Sequence, residues 1–121
     1  MVAATRVRRG CVYWLDFEPV RGSEQGKRRP ALVVQNNLGN QTSPTTIVIP
    51  LTSQVPSKEY PMHVHLTLLG RPAVILCEQI RTVTLERMET KVLEELSPEL
   101  MAKVEDAIRH SLGFSEETAG L

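Results

Sequence analysis

Cysteine is scarce in this 121-residue chain, which holds two, Cys11 and Cys77. Two cysteines make no disulfide framework. Cys11 begins one apolar run and Cys77 ends another, so both read as buried, reduced thiols of a reducing compartment. No apolar run is long enough to span a membrane. The basic residues near the N-terminus are not followed by the apolar stretch of a signal peptide. A cytoplasmic protein with no membrane partner is expected. An excess of charge of one sign is missing as well, with 14 basic residues against 14 acidic ones. That excludes a general coating protein for nucleic acid, which is strongly basic. No nucleophile elbow is present. No glycine-rich loop leads from a strand into a helix, which leaves dinucleotide and P-loop sites unsupported. His63 and His65 lie two apart on one strand face with no Cys or carboxylate cluster at ligand spacing. They read as an exposed polar face, and neither a metal nor a cofactor is expected.

What charge there is sits unevenly. Residues 1–36 carry seven basic and three acidic residues, a sum of +4, whereas residues 85–121 carry four basic and nine acidic ones, a sum of −5. A basic front and an acidic rear point to an anionic partner held by the first third of the chain. The length suits one domain over residues 1–121, with a core at about 8–114 and a frayed tail at 115–121. A chain this long buries roughly two-thirds of its unfolded surface and needs no staple.

Residues 11–17, β-branched and aromatic, predict a first strand. Residues 31–36 predict a second, largely apolar and so central. Residues 37–44 read as a polar loop. Residues 45–52 predict a third strand, in which Pro50 marks a bulge or an unpaired edge position. From Met62 to Leu68, apolar and polar residues alternate as in a half-buried antiparallel strand. Gly70, Arg71 and Pro72 read as a turn. Residues 73–77 read as a further strand, continuing through Glu78 and Gln79 towards Val83. Residues 85–96 suit either a helix, with Thr84 as a cap, or a strand. Ser97-Pro98 is a helix start, with Ser97 as N-cap. Met101, Val104, Ile108 and Leu112 then form one apolar stripe, and Gly113 stops the helix. His110 near that helix end suits the dipole. Five or six short strands and a terminal helix describe an α+β, mainly antiparallel, small curved sheet or barrel.

Residues 21–30 form the most informative segment: two glycines, four cations, one carboxylate and two neutral polar side chains between two strands. Gly22 and Gly26 open backbone turns closed to other residues. Arg28 and Arg29 suit phosphate oxygens. The segment reads either as a phosphate-binding loop on a rigid strand pair or as an ordinary solvated hairpin. Gln35, Asn36, Thr52, Ser53, Gln54, Glu78 and Gln79 cluster at strand ends. On the side of the basic loop they would make a polar groove that holds phosphates and reads base edges. Trp14 and Phe17 are both stacking candidates; Phe17 lies beside the loop, whereas Trp14, in mid-strand, reads more readily as core.

These blocks together resemble the MazF/PemK (Kid) family of toxin endoribonucleases from toxin–antitoxin pairs. Arg9-Gly10 with Val12-Tyr13-Trp14 and Asp16 is similar to the family's first strand. Gly22-Ser23-Glu24-Gln25-Gly26 with Arg29-Pro30 is similar to its active-site loop. Val33-Val34-Gln35-Asn36, Gly39-Asn40, Ser43-Pro44-Thr45, Leu51-Thr52-Ser53 and Leu76 with Glu78-Gln79-Ile80-Arg81-Thr82 follow in order. The resemblance implies an SH3-like barrel with a C-terminal helix, usually a homodimer. It implies an mRNA interferase: metal-independent, sequence-selective cleavage of single-stranded RNA by 2′-hydroxyl attack, leaving a 2′,3′-cyclic phosphate and a 5′-hydroxyl. A MazE-like antitoxin would hold the enzyme off. Arg29 and Thr52 would be the catalytic pair, with Glu24 an alternative to Arg29 as the proton acceptor. Ser23, Gln25, Lys27, Arg28, Asn36, Ser53, Gln54, Glu78 and Gln79 would contact RNA. Cys11 stands where the family commonly has aspartate, and Pro50 where a small residue is common. The other readings are a non-enzymatic gyrase-type poison of the same general fold, and an RNA-binding module that does not cut.

Overall fold

The computed structural model describes residues 6–16 and 28–114. Strands β1 (Cys11–Asp16) and β2 (Arg28–Val33) pair antiparallel from Val12↔Leu32 out to Asp16↔Arg28. The second strand thus starts three residues earlier than its apolar run suggests, because pairing with β1 carries the ladder into the basic segment. It also ends earlier. Gln35 and Asn36 leave the sheet to serve a helix, α1 (Asn37–Thr42), where the sequence suggested a loop. Asn36 caps it by accepting the Gly39 N–H at 2.8 Å. The buried Asn40 anchors it: its carboxamide accepts from Thr46 Oγ1 at 2.7 Å and from Gln35 Nε2 at 3.0 Å, and donates to the Gln35 carbonyl at 3.0 Å. A capped and internally bonded side chain overrides weak local propensity.

Strand β3 (Thr45–Thr52) has the bounds the sequence indicated and is the spine of the sheet. One flank pairs with β2 through Ala31↔Pro50, Leu32↔Ile49 and Val33↔Val48. The other flank changes neighbour along its length. It pairs with β6 (Arg81–Thr84) from Thr45 to Val48 and with β5 (Arg71–Leu76) at Leu51 and Thr52. Pro50, which has no N–H to donate, falls in the interval between those two ladders. It is neither on an edge strand nor unpaired, since it faces Ala31 across β2.

Strand β4 (His63–Leu68) pairs with β5 through a hairpin whose two-residue turn is Leu69-Gly70. Both residues have positive φ, 51° and 80°, as tight hairpins require. Arg71 and Pro72, expected in the turn, are therefore the first residues of β5. That strand does not run on to Val83. Gln79 N–H closes a turn on the Leu76 carbonyl at 2.9 Å, and the chain restarts as β6 on the other half of β3. The ambiguous segment after it holds both options: a 3-10 turn (Leu85–Arg87), whose Thr84 makes no side-chain cap, and a short strand β7 (Glu94–Glu95) against β1. Helix α2 (Pro98–Ser111) begins where expected, Ser97 accepting the Leu100 N–H at 3.1 Å. Its buried residues are Met101, Val104 and Ala107; Leu112, placed in the stripe from spacing, is 55% exposed beyond the last turn.

The strands run in the order β4-β5-β3-β2-β1-β7, with β6 on β3. This nearly closed antiparallel barrel is buried on both faces of its centre. Val12, Leu32, Ile49, Leu51 and Ile75 pack under Val104 and Ala107 of α2. Their strand neighbours Cys11, Tyr13, Leu15, Ala31, Val33 and Val48 pack on the opposite face with Val83 and Met88. Two-sided burial is why β2 reads as a continuous apolar run and not an alternating one. No described helix is long and apolar enough to cross a membrane.

Candidate functional site

The β2–β3 ladder ends at Ala31↔Pro50. Carried two residues outward, the same register sets Arg29 across from Thr52, where the two strands part from each other while Arg29 stays paired with Leu15 and Thr52 with Val74. Both line a groove of about 530 Å³ that also takes in Ser53, Gln54, Arg28 and, from the start of β5, Arg71. Among the described residues, three guanidiniums and no carboxylate line this groove. By contrast, two other grooves among the described residues, of about 490 and 410 Å³, contain Asp106 in one and Asp16 and Glu86 in the other. A concave wall bearing charge of one sign concentrates an anionic ligand.

The Thr52 hydroxyl is half-placed already. Its Oγ1 accepts the Gln54 N–H at 3.1 Å. That contact occupies the oxygen as an acceptor and leaves the O–H proton to donate to an entering ligand. The groove wall opposite is apolar: Leu68, Leu69, Pro72 and Ala73. Leu69 is 59% exposed at φ 51°, a left-handed conformation that costs a branched residue of order 1 kcal/mol and that the two-residue hairpin turn imposes.

Arg28 is held from two sides. Its Nε and Nη2 donate to Glu89 Oε2 and Oε1 at 2.6 and 2.8 Å. Its guanidinium carbon stands 4.4 Å from the centroid of the Trp14 ring. The hydrogen bond from Arg28 holds the Glu89 carboxyl below its ordinary value, and the same bond raises Arg28 above its own. Trp14 is thus only half-buried and is a groove residue, not the core residue its mid-strand position suggested. The cause is the course of β1, whose outer end rises out of the core from Val12 through Trp14 to the exposed Asp16.

Of the residues picked from the sequence, the fold gathers Arg28, Arg29, Thr52, Ser53 and Gln54 in this one groove. Ser23, Glu24, Gln25, Lys27 and Phe17 lie outside the described residues. Asn36, Glu78 and Gln79 do not line the groove. Asn36 is the α1 cap. Glu78 and Gln79 stand on the turn after β5, where Glu78 Oε2 is 3.3 Å from His63 Nε2. That contact corrects the reading of His63 as an exposed residue: its side chain is 7% exposed, whereas His65 is exposed as expected. Two groove residues and the partner of a third were missed. Arg71 was read as a turn residue, Trp14 as core, and Glu89 carries no local signal because its partner lies 61 positions away. Both cysteines are buried and free. Burial pushes the Cys77 thiol up to about 12 and Cys11 upward as well. Among the described residues no three His, Cys, Asp or Glu side chains gather as metal ligands would.

Comparison with known proteins places this geometry. The family model described as PemK-like, MazF-like toxin of type II toxin-antitoxin system matches residues 8–112. A Bacillus subtilis protein named Endoribonuclease EndoA is 46% identical over 112 residues, covering 89% of this chain and 96% of its own. A solved MazE-MazF structure from Deinococcus radiodurans is 33% identical at a TM-score of 0.74, covering 90% of this chain and 97% of that one. An endoribonuclease in complex with its cognate antitoxin, from a mycobacterial species, has the same fold at 23% identity, with a TM-score of 0.74 over 90% of this chain and 97% of its own.

Proposed function

This chain belongs to the PemK-like, MazF-like toxins of type II toxin–antitoxin systems, and on that premise we propose that it is an endoribonuclease that cuts single-stranded RNA without a metal ion. One observation carries the reading to residues: the β2–β3 register, carried past its last pair, brings Arg29 opposite Thr52 on the wall of a groove whose charged described residues are all cations. RNA supplies its own nucleophile, the 2′-hydroxyl. The enzyme has to place that oxygen in line with the scissile phosphorus, remove its proton, stabilise the phosphorane and protonate the leaving 5′-oxygen. Arg29 supplies paired N–H donors to the phosphorane oxygens and Thr52 its hydroxyl, and such preorganised donors are the largest single contribution to many reactions of this kind. A guanidinium stays charged and is a poor base, so the proton acceptor is assigned to Glu24, from the segment between β1 and β2. The products are a 2′,3′-cyclic phosphate and a 5′-hydroxyl.

Arg28, Ser53 and Gln54 contact the RNA chain within the groove. Ser23, Gln25 and Lys27 contact it from the preceding segment, and Asn36, Glu78 and Gln79 beyond the groove. The partners are RNA, a second copy of the chain, and a MazE-like antitoxin whose acidic segment covers the cationic groove. Two buried, free thiols fit a cytoplasmic location. Mapping the ends of RNA cut by the purified protein in EDTA tests the reading. Cyclic phosphate and 5′-hydroxyl termini are expected at a short recurring sequence. Intact RNA, or cutting only after a divalent ion is added, would refute it, and growth arrest that persisted in Arg29→Ala would favour a poison that does not cut.

A further inference from the structure

Arg28 is placed where an entering phosphate would want it, yet it is already engaged. The fork it offers Glu89 is the one it would offer a phosphate, two parallel N–H bonds to two oxygens. Both side chains remain substantially open to water, at 55% for Arg28 and 44% for Glu89, so exchanging one oxyanion for another demands no desolvation of a buried charge. Glu89 is not a passing neighbour. Its backbone N–H donates to the Trp14 carbonyl at 2.9 Å, and the adjacent Met88 bridges to Leu15, so the carboxylate is tethered to the strand that carries the ring. While Glu89 holds Arg28, the guanidinium covers the Trp14 ring, and that ring lines the groove beside Arg29 and Thr52.

We infer that Trp14 is a nucleobase-stacking platform kept covered by Arg28, and that Glu89 is the internal competitor which an RNA phosphate displaces from Arg28 to uncover it. The inference rests on the endoribonuclease reading and extends it to two residues which that reading leaves without a role. In the free protein Glu89 neutralises Arg28 and masks the ring. When RNA enters, Arg28 swings to the phosphate, and the base attached to that nucleotide settles on the exposed indole. Aromatic stacking accepts any base, so this contact adds affinity and holds the strand in place without selecting a sequence.

Trp14 is the only tryptophan of the chain, so its fluorescence reports the stack directly. The probe is a mixed-sequence 2′-O-methyl RNA of about 12 nucleotides, which lacks the attacking hydroxyl and cannot be cut. Binding is followed by anisotropy and by Trp14 emission. The oligonucleotide is expected to quench Trp14, whereas inorganic polyphosphate, which has no bases, is not. Glu89→Gln should tighten binding by about threefold or more, because Arg28 no longer has to leave a carboxylate. Glu86→Gln removes the same charge from the neighbouring 3-10 turn without touching Arg28 and serves as the control. In an Arg28→Ala background the Glu89→Gln gain should vanish, and Arg28→Ala alone should flatten the dependence of log K on log salt by about 0.7, one phosphate contact on a single strand.

Silent Trp14 emission during binding, or an equal effect of Glu89→Gln with and without Arg28, overturns the inference even if unmodified RNA is cut normally. Absence of both probe binding and cutting of unmodified RNA would overturn the endoribonuclease reading, and this inference with it.

Discussion

Replacing Thr52 with valine keeps the shape of the side chain and removes only the hydroxyl. Two consequences of different size follow. The first is structural: Oγ1 loses the Gln54 N–H it accepts at 3.1 Å. Gln54 is exposed, so its N–H can turn to water, and the cost is at most about 1 kcal/mol, or a few degrees in Tm for a chain of this size. The second is catalytic. If the hydroxyl donates to the phosphorane, its loss removes one preorganised donor, worth roughly 100- to 1000-fold in rate, or about 3–4 kcal/mol. Steady-state cleavage of a short RNA in EDTA and a thermal melt by circular dichroism separate the two. A fall of about 100-fold in kcat is expected, with KM changed by less than about threefold, because the donor acts on the transition state more than on bound substrate. Thr52→Ser keeps the hydroxyl and should stay within about tenfold of the parent. A folded Thr52→Val enzyme cutting within about threefold of the parent would refute the assignment of Thr52 as a donor.

One further substitution and one reaction read the fold itself. Asn40→Ala strips the partners from the buried Thr46 hydroxyl and the Gln35 carbonyl, and should cost about 3 kcal/mol, lowering Tm by about 10 °C or more while leaving cleavage at low temperature unchanged; an unshifted melt would mean that α1 does not depend on this network. Cys11 and Cys77 should resist a thiol reagent at pH 8 in the native protein and both react once it is unfolded, because burial raises both thiols, Cys77 to about 12, and so keeps them protonated there; rapid native labelling at pH 8 would contradict their burial.

The sequence carried the parts of the fold that local chemistry dictates. Strand β3 and the start of α2 were legible because β-branched runs and a Ser-Pro cap act over a few residues. Helix α1 was not, because its stability comes from Asn40, whose partner Thr46 lies on the following strand. The break between β5 and β6 was hidden for a related reason. Both segments are strand-like, and only the change of neighbour along β3 decides that they belong to different ladders. The site divided in the same way. Arg29 and Thr52 stood out through their blocks, and the β2–β3 register then placed them opposite each other. Trp14 misled because apolar strand residues usually point to a core, while here the strand end climbs out of it. Arg71 and Glu89 reach the groove region through a hairpin and a return crossing, which no short window of sequence contains.

The central claim is that Arg29 stabilises the phosphorane in a reaction that needs no metal ion. Single-turnover cleavage of a single-stranded RNA in excess EDTA, comparing the parent chain with Arg29→Ala shown to be folded by its melt, tests it most directly. The expected result is cutting by the parent to a 2′,3′-cyclic phosphate and a loss of at least about 1000-fold in Arg29→Ala. Cutting by Arg29→Ala at the parent's rate, or none by the parent until a divalent ion is restored, would contradict it.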